Sequence, residues 1–279
     1  LGFENAYIVG NANTAIVVGK TSSASVIDGV VVMNSYAQGR DHVAAFVGNL
    51  DGGATISNCL SNATLVTREY QLGAIAGVSN HGTIEHCVFT GTLAKNSGTT
   101  CVGLVGLLDS DGNSTVIKNN LFAAAYANGC SGAGLIIVTA GRNCTLSNNY
   151  VADYTLKDGV LYSGADADSD AGKTATKEEV RSQNWYTTTL GFDFENSWKF
   201  FPDAEGHMVP VLKWMNAPLT TTLLNMPGED GVSIAFIEGT ESYDYNVIRG
   251  SWGDDITVEQ LDGFDYACIV EEEDGESAI

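Results

Sequence analysis

The chain has 279 residues, of which 44% are hydrophobic, and its 34 acidic and 13 basic residues give a formal net charge of −21 at pH 7. This negative charge argues against a partner that is a nucleic acid or an anionic membrane surface. No apolar run reaches the roughly 18 residues that a membrane-spanning helix needs, so membrane insertion is not expected.

Residues 1–160 repeat a pattern with a period of about 29 residues, and a fixed period of this length is typical of stacked repeats. Glycine recurs once per period, at Gly19, Gly48, Gly77 and Gly106. A large aliphatic residue recurs at nearly the same spacing, with one longer interval after Ile84, at Ile27, Ile56, Ile84, Ile117 and Leu146. Apolar residues alternate within each unit and are separated by glycine, asparagine and serine, which is typical of short strands and turns.

This pattern predicts an all-β fold, a right-handed parallel β-helix in which each repeat forms one turn. About five turns at about 4.8 Å each give a solenoid on the order of 25 Å tall. Equivalent residues of successive turns should stack in rows, and we predict four of them. They are Tyr7, Tyr36, Leu65, Leu93 and Tyr126; Val17, Phe46, Ile75, Leu104 and Ile136, facing inward; Val30, Cys59, Cys87, Asn120 and Asn149; and Gly29, Asn58, His86, Asn119 and Asn148.

Side chains in these rows suggest specific roles. Asparagines on successive turns can hydrogen-bond through their amides along the stack. The glycines that recur once per repeat are expected to supply the positive φ of a tight corner.

Cys59 and Cys87 should lie about 5 Å apart on adjacent turns. Their side chains point in parallel, which disfavours a disulfide, so we expect two buried free thiols. The cysteines lack the C-x-x-C spacing of a zinc site.

The segments LGAIAGVSNHGTIEHC, residues 72–87, and VGLVG with GNSTVIKNN, residues 102–106 and 112–120, resemble the GLUG-type repeats of bacterial surface and secreted proteins. The resemblance covers about residues 1–216 and weakens at GAGLIIV, residues 132–138, which lacks the second glycine. Similar repeats occur in adhesin-like β-helix proteins and in the non-catalytic part of IgA-peptidase-like surface proteins. The resemblance therefore implies an extracellular or cell-surface β-helix protein.

One charged cluster suggests a binding or catalytic site. Arg40 and Asp41 should lie beside Arg68 and Glu69 of the next turn, with Lys95 on a third turn. Carboxylates and basic groups on one exposed face are what a β-helix that cleaves polysaccharides requires, so the cluster is a candidate sugar-acid site. The alternative is that these are turn residues which pair in solvent across neighbouring turns.

Residues 161–216 are predicted to form a linker and a segment that caps the solenoid. Asp166, Asp168 and Asp170 stand at alternate positions, as at the start of a calcium-binding loop. Ala171 and Lys177 replace the glycine and the last ligand of such a loop, so the alternative is a solvated linker. Thr176 and Glu179 form a capping box that starts a helix to about residue 188. Two apolar strands follow, and residues 176–215 are expected to cover the last turn.

Residues 217–279 contain no repeat and are predicted to form a small acidic β module, sandwich-like or Ig-like. Their candidate strands are TTTLLNM, VSIAFIEG, YNVIRGSW, DITVEQL and FDYACIV. The segment has 15 acidic residues and one arginine, so it carries −14 of the total charge of −21.

The sequence contains neither the H-E-x-x-H motif of a metalloprotease nor the G-x-S-x-G motif of a serine hydrolase. We therefore expect a non-catalytic structural or adhesive module, a monomer that presents binding loops to a host protein or a glycan. The alternative is a carbohydrate-active β-helix, either a polysaccharide lyase or a glycoside hydrolase. The chain starts in the middle of a predicted turn, at LGFENAY, which suggests a fragment of a longer protein.

Overall fold

A computed structural model describes the chain over residues 1–95, 102–108, 114–127, 134–137, 144–203, 206–215 and 223, and over strand residues 234–239, 245–250, 270–271 and 277–278. These residues form two compact units, Leu1–Asn225 and Met226–Ile279. Among the described residues, no helix is long and apolar enough to cross a bilayer.

The first unit is a β-solenoid with short strands. Its first turn contains β1 (Gly2–Glu4), β2 (Tyr7–Val9), β3 (Val18–Lys20) and β4 (Val26–Asp28). The second contains β5 (Val31–Met33), β6 (Tyr36–Gly39), β7 (Val47–Leu50) and β8 (Ala54–Ser57). The third contains β9 (Leu60–Ser61), β10 (Thr64–Thr67), β11 (Leu72–Ser79) and β12 (Gly82–Glu85). The fourth contains β13 (Val88–Phe89), β14 (Thr92–Lys95), β15 (Val102–Leu108) and β16 (Thr115–Lys118).

The fifth turn contains β17 (Leu121–Phe122), β18 (Tyr126–Ala127) and β19 (Cys144–Ser147). An incomplete sixth turn follows, with β20 (Tyr150–Ala152), β21 (Leu156–Lys157), β22 (Val160–Leu161) and β23 (Ala165–Asp166). The last strand of the stack, β24 (Gly172–Ala175), pairs with β20 in parallel order. The strands stack into four sheets, which we number by the strand of the first turn that each contains: sheet 1 (β1), sheet 2 (β2), sheet 3 (β3) and sheet 4 (β4). All pairings through the first five turns are parallel, which confirms an all-β solenoid of about five turns.

The predicted isoleucine row is confirmed residue by residue in sheet 4. Ile27, Ile56, Ile84, Ile117 and Leu146 are paired in order through five turns. The inward row in sheet 3 is also confirmed, because Phe46, Ile75 and Leu104 each precede a residue of the paired series Val47, Ala76 and Val105, and all three are fully buried. These rows form one continuous interior, which a single turn could not bury alone.

The predicted tyrosine and leucine row in sheet 2 is wrong by one residue in the third and fourth turns. Tyr36 pairs with Thr64 and not with Leu65. Two rows result: Tyr7, Tyr36, Thr64, Thr92 and Tyr126; and Ile8, Ala37, Leu65, Leu93 and Ala127. The second row belongs to the core, so the leucines face inward and the tyrosines do not.

The expectation for the recurring glycines was also wrong. None of the four is among the residues with positive φ, and each lies inside a strand. A Cβ on Gly48 or Gly77 would overlap backbone atoms of Asn13 or His42 of the preceding turn. Glycine is therefore required because two backbones approach closely, and not because the corner needs a left-handed residue.

The left-handed corner is formed by the row that starts at Gly29. Gly29, Asn58, His86, Asn119 and Asn148 have φ of 63°, 49°, 53°, 58° and 56°. Asparagine and histidine are among the residues that tolerate this conformation best. Asn148 Nδ2 donates to Asn119 Oδ1 at 2.8 Å, and Asn119 Nδ2 lies 3.1 Å from His86 Nε2. The predicted side-chain ladder is therefore present, and we call this row the left-handed ladder.

Two short helices and a hairpin follow the solenoid. The capping box at Thr176 is confirmed, and it starts α1 (Lys177–Val180). The single predicted helix is divided at Ser182, which caps α2 (Gln183–Thr188). The hairpin pairs β25 (Trp198–Pro202) with β26 (Met208–Leu212) in antiparallel order. We call the described residues from 176 to 215 the strap.

The strap runs along the left-handed ladder from the fifth turn to the first. Asn148 Nδ2 donates to the carbonyl of Thr189, and the ring of Phe192 packs edge-on against His86. Further along, Trp198 Nε1 donates to Asn58 Oδ1 at 3.1 Å. Trp214 Nε1 then donates to the carbonyl of Gly29 at 3.0 Å. The strap was predicted to cover the last turn, but it instead contacts the side of several turns.

The strap explains why both faces of sheet 1 are apolar. Val32, Phe89, Phe122 and Val151 belong to the interior. The residues that alternate with them are also buried, although they face outward: Val31, Leu60, Val88, Leu121 and Tyr150. Trp185 packs edge-on against Tyr150 with ring centroids 5.2 Å apart. Sheet 1 is therefore covered by the solenoid interior on one face and by the aromatic residues of the strap on the other.

Residues 156–172 cover the last turn. Here β22 pairs with β21, and β23 pairs with β24, both in antiparallel order. Tyr162 enters the core cluster, and its hydroxyl donates to the carbonyl of Ala171 at 3.0 Å. The carbonyl of Asp170 accepts hydrogen bonds from Ile136 and Ile137 of the fifth turn. This change of strand direction ends the parallel stacking.

The described residues of the second unit form two antiparallel pairs. They are β27 (Ile234–Gly239) with β28 (Tyr245–Gly250), and β29 (Val270–Glu271) with β30 (Ser277–Ala278). The first pair falls within the predicted strands VSIAFIEG and YNVIRGSW. The predicted strand DITVEQL lies outside the described residues. The sandwich-like module and the domain boundaries at 160/161 and 216/217 stay predictions.

Replacing Ile56 by alanine should lower the free energy of unfolding by about 2–5 kcal/mol, because Ile56 is fully buried between two isoleucines. The matched control is Thr55→Ala on the outer face of the same strand, which should change it by only about 0.5 kcal/mol. Urea denaturation of the three proteins measures the difference. Equal losses in the two variants would contradict the inward assignment of the isoleucine row.

Lowering the pH should destabilise the fold at His86, where the ring of Phe192 from the strap packs against the left-handed ladder. Burial lowers the pKa of His86 from its ordinary value of 6.5; Glu85 opposes this and Lys118 adds to it. The unfolded chain therefore takes up a proton before the folded chain does, so this stability is complete above pH 6.5 and is lost as the pH falls through the folded pKa. The measurement is Tm between pH 8 and pH 5.

His86→Asn is the matched variant for this experiment, because asparagine occupies three other positions of the left-handed ladder. The variant should lose less stability than the parent protein between pH 7 and pH 5. Since the carboxylates titrate in both proteins, only the difference between the two curves reports His86. Parallel curves would show that His86 does not contribute.

Candidate functional site

The candidate charged cluster lies at the corner where the chain passes from sheet 2 to sheet 3. In the second turn, three residues, 40–42, separate the paired positions Gly39 and Val43. In the third turn, four residues, 68–71, separate the partners of these two positions. The third-turn corner is therefore one residue longer. Glu69 and Tyr70 are both exposed there, Tyr70 to 44%.

Arg40 and Glu69 are brought together by this stacking. The carbonyl of Arg40 accepts hydrogen bonds from the backbone N–H groups of Glu69 and Tyr70, at 3.2 and 3.1 Å. Arg40 Nε and Glu69 Oε2 lie 3.9 Å apart, and the two side chains are 46% and 48% exposed. An ion pair this exposed contributes at most about 1 kcal/mol. Arg40 and Glu69 therefore pair in solvent across neighbouring turns, as the alternative interpretation of the cluster expects.

Arg68 and Lys95 occupy different levels of the same corner. Arg68 Nη2 donates to the carbonyl of Gly10 at 2.9 Å, so the side chain of a third-turn residue reaches the first turn. Lys95 pairs with Thr67, the residue before Arg68, and therefore lies one turn higher. The guanidinium of Arg68 therefore links the third turn to the first.

Asp41 and His42 extend the site toward the first turn. His42 Nε2 lies 3.3 Å from Asp41 Oδ1, and His42 Nδ1 lies 2.8 Å from Asn13 Oδ1. Asn13 and His42 are both left-handed, with φ of 51° and 50°. The sequence interpretation did not include His42, Asn13 or Tyr70. Counting residues between the aligned strands would have shown the longer corner that exposes Tyr70.

The corner differs in charge from the chain as a whole. It has three basic residues, Arg40, Arg68 and Lys95, and two acidic residues, Asp41 and Glu69, in a chain of net charge −21. It also presents an exposed aromatic ring beside hydrogen-bond donors and acceptors. Such a set can bind a polar ligand that has an apolar face. The interpretation of the cluster as a sugar-acid site stays a prediction.

The three aspartates of the candidate calcium loop have structural contacts in the fold. Asp166 Oδ1 accepts a hydrogen bond from the backbone N–H of Asp168 at 2.9 Å. Asp168 Oδ1 accepts from the backbone N–H of Asn148 at 2.7 Å. In the part of the chain that the structure describes, no group of three or more His, Cys, Asp or Glu side chains is placed to hold a metal ion. A calcium site formed by Asp166, Asp168 and Asp170 stays a prediction.

Cys59 and Cys87 are buried free thiols, as expected. Cys59 Sγ donates to the carbonyl of Ser57 at 3.1 Å, and Cys87 Sγ donates to that of Glu85 at 3.3 Å. Burial, together with a hydrogen bond to Cys59, raises the pKa of the Cys87 thiol. Because the thiolate is the reactive form, the Cys87 thiol is a poor nucleophile.

The chain was compared with known proteins. No family model matches the sequence, and no curated protein matches it. Among solved structures, the solenoid is similar to a crystal structure from Bacteroides ovatus that is described as a candidate immunoglobulin A1 protease. The identity is 21%, the TM-score is 0.55, and the alignment covers 77% of this chain and 68% of that chain. At this identity the similarity supports the fold.

Asp168→Ala should lower the free energy of unfolding by about 1 kcal/mol, because the backbone N–H of Asn148 loses a charged acceptor. Asp170→Ala is the control, since the fifth turn uses the backbone carbonyl of Asp170 and not its side chain. Thermal unfolding in EDTA and in millimolar calcium measures both variants. A loss that is seen in calcium and absent in EDTA would support the calcium site and contradict the structural role.

Proposed function

We propose that this chain is a non-catalytic structural module of a bacterial cell-surface or secreted protein, and that it presents a binding corner to a host protein or a glycan. The observation that carries the proposal is the solenoid itself, in which five turns stack in register and a strap lies along their side. Its turns are held in register along one axis, and its corners form a regular series of loops. These are the properties of a stalk that holds binding residues away from a surface.

The similarity of the solenoid to the Bacteroides ovatus structure is compatible with a surface structural module. The GLUG-type pattern in the sequence points the same way. A protease activity is not part of the proposal, because the sequence has no H-E-x-x-H motif, and among the described residues no cluster is placed to hold a metal ion.

The binding site that we propose is the corner between sheets 2 and 3, and the ligand that fits it best is a glycan. A sugar ring has an apolar face that can pack on the exposed ring of Tyr70. Its hydroxyl groups can donate to the carboxylates of Asp41 and Glu69 and accept from Arg40. The longer third-turn corner supports this assignment, since it brings Tyr70 and Glu69 out of the stack above Arg40 and Asp41.

The alternative function is a carbohydrate-active β-helix with its centre at the same corner. Asp41 and Glu69 would then be the acid and base, with Arg40, Arg68 or Lys95 holding the acidic group of the sugar. The ion pair between Arg40 and Glu69 favours the binding function, because it satisfies the charge of both groups without a substrate.

Tyr70→Ala should weaken glycan binding by about tenfold or more, the loss typical when an aromatic anchor is truncated. The measurement is a glycan array with the 279-residue chain, followed by titration calorimetry with the glycans that bind. Thr145→Ala is the matched control, since Thr145 is exposed on sheet 4 of the fifth turn. Binding that both variants retain would contradict the corner as the site.

The same proteins should release no reducing ends and no unsaturated products from acidic polysaccharides. Product formation that Glu69→Gln abolishes would favour the carbohydrate-active alternative. An array in which no glycan binds the parent protein would contradict the glycan part of the proposal.

A further inference from the structure

Arg40, in the corner between sheets 2 and 3, is fixed at its backbone by both neighbouring turns. Its backbone N–H donates to the carbonyl of Asn11 in the first turn at 2.8 Å. Its carbonyl accepts from the backbone N–H groups of Glu69 and Tyr70 and from the hydroxyl of Thr67, all in the third turn. These contacts use only backbone atoms of Arg40, so a change of its side chain leaves them in place.

The side-chain contact between Arg40 and Glu69 is loose. The distance of 3.9 Å between Nε and Oε2 is well beyond the length of a charge-assisted hydrogen bond, about 2.7–2.9 Å. Both side chains are about half exposed, so little stability is lost when they separate. Among the described residues, Glu69 is the carboxylate that pairs with Arg40.

A carboxylate on a ligand can bind Arg40 more strongly than Glu69 does. The planar guanidinium presents its N–H groups as a fork, which matches the two oxygens of a carboxylate. Hydrogen bonds of this charged kind are about twice as strong as neutral ones. Glu69 makes no such bond at 3.9 Å, so a ligand that makes two of them gains more at Arg40 than the protein loses when Glu69 is displaced.

The neighbours of Arg40 indicate which kind of acid fits. Because the backbone of Tyr70 binds the carbonyl of Arg40, the exposed ring of Tyr70 is held on the next turn, about 4.8 Å along the axis. A sugar that carries a carboxylate on its ring offers an apolar face for Tyr70 and an acid for Arg40.

The other charges of the molecule affect this site less. Asp41 lies 3.3 Å from His42 Nε2, and its side chain is only 19% exposed, so Glu69 is the carboxylate that an incoming acid meets first. The net charge of −21 repels anions at long range. This repulsion is screened over about 8 Å at physiological ionic strength, whereas the contact with Arg40 is made at hydrogen-bond distance.

We propose that the corner selects glycans that carry a carboxylate, that Arg40 recognises this group, and that Glu69 occupies its place on Arg40 when no ligand is bound. This selectivity rests on the proposed glycan-binding function of the corner and names the class of its ligand. Glu69 is then a competitor for Arg40, and once displaced it can still accept a hydroxyl group of the sugar.

Two matched pairs of glycans test the selectivity with the 279-residue chain. They are oligogalacturonate with its methyl ester, and sialyllactose with its methyl ester. Each ester keeps the sugar rings and removes the negative charge. Titration calorimetry should show that the acid of at least one pair binds about tenfold more tightly than its ester, the difference expected for hydrogen bonds to a charged group.

Three kinds of variant assign this preference to its residues. Arg40→Gln should remove most of the preference and leave binding of the ester within about twofold, because the ester makes no ion pair. Glu69→Gln should strengthen binding of the acid by about two- to fivefold, because the competing carboxylate is gone. Lys118→Gln and Glu85→Gln are the matched controls, since these side chains form another exposed ion pair, at 2.9 Å on sheet 4. Neither control should change the preference.

Equal binding of acid and ester in both pairs, lost in Tyr70→Ala, would overturn the selectivity and leave the glycan-binding function standing. Absence of binding by every glycan would contradict both. Weaker binding of the acid by Glu69→Gln would show that Glu69 holds the ligand and does not compete with it, which would overturn the proposal. Poly-L-glutamate that binds as tightly as the better acid would mean that the corner recognises charge without the sugar, and this would overturn it as well.

Discussion

The structure depends on one constraint, the in-register parallel stacking of successive repeats. A single turn has short strands and no interior, so it is stable only when each residue lies on its counterpart in the next turn. The isoleucine row of sheet 4 shows this directly, with partners that match through five turns. Every other feature, including the polar corner and the left-handed ladder, exists because equivalent residues are held one above the other.

The left-handed ladder connects the repeat to the rest of the first unit. A corner that needs positive φ selects glycine, asparagine or histidine, and these residues also offer polar groups at the surface of the stack. The strap uses those groups in turn, from Asn148 to Asn58 and Gly29. A local backbone requirement has thus produced a regular column of hydrogen-bonding groups, and the aromatic residues of the strap cover the outer face of sheet 1 beside it.

The sequence was sufficient to predict the solenoid, the capping box and the isoleucine row, because each depends on residues that are close in the chain or repeat at a fixed interval. It failed where a turn gains or loses one residue. The sheet 2 row was misassigned because Tyr36 pairs with Thr64, one position short of the full period, whereas a strictly regular period moves the partner to Leu65. The same kind of irregularity hid Tyr70, which is exposed where the third-turn corner is one residue longer.

The path of the strap was not predictable for a different reason. Its contacts join positions far apart in the chain, such as Trp198 with Asn58 and Trp214 with Gly29, and no periodicity relates them. The concentration of tryptophan after residue 184 indicated a large apolar surface to be covered, but not which one. The charged residues of the candidate site could be found from the sequence. Asn13, His42 and Tyr70 could not, because their place in the site depends on the geometry of the corner.

The strap has a consequence for how the molecule resists force. In a simple stack, each turn is held only by its neighbours, so the end turns can peel away one after another. Here one segment is fastened to both the first and the fifth turn, and the first turn cannot separate without also breaking the contacts of Trp214. When force is applied along the axis, the turns should therefore unfold together in one cooperative event and not one after another.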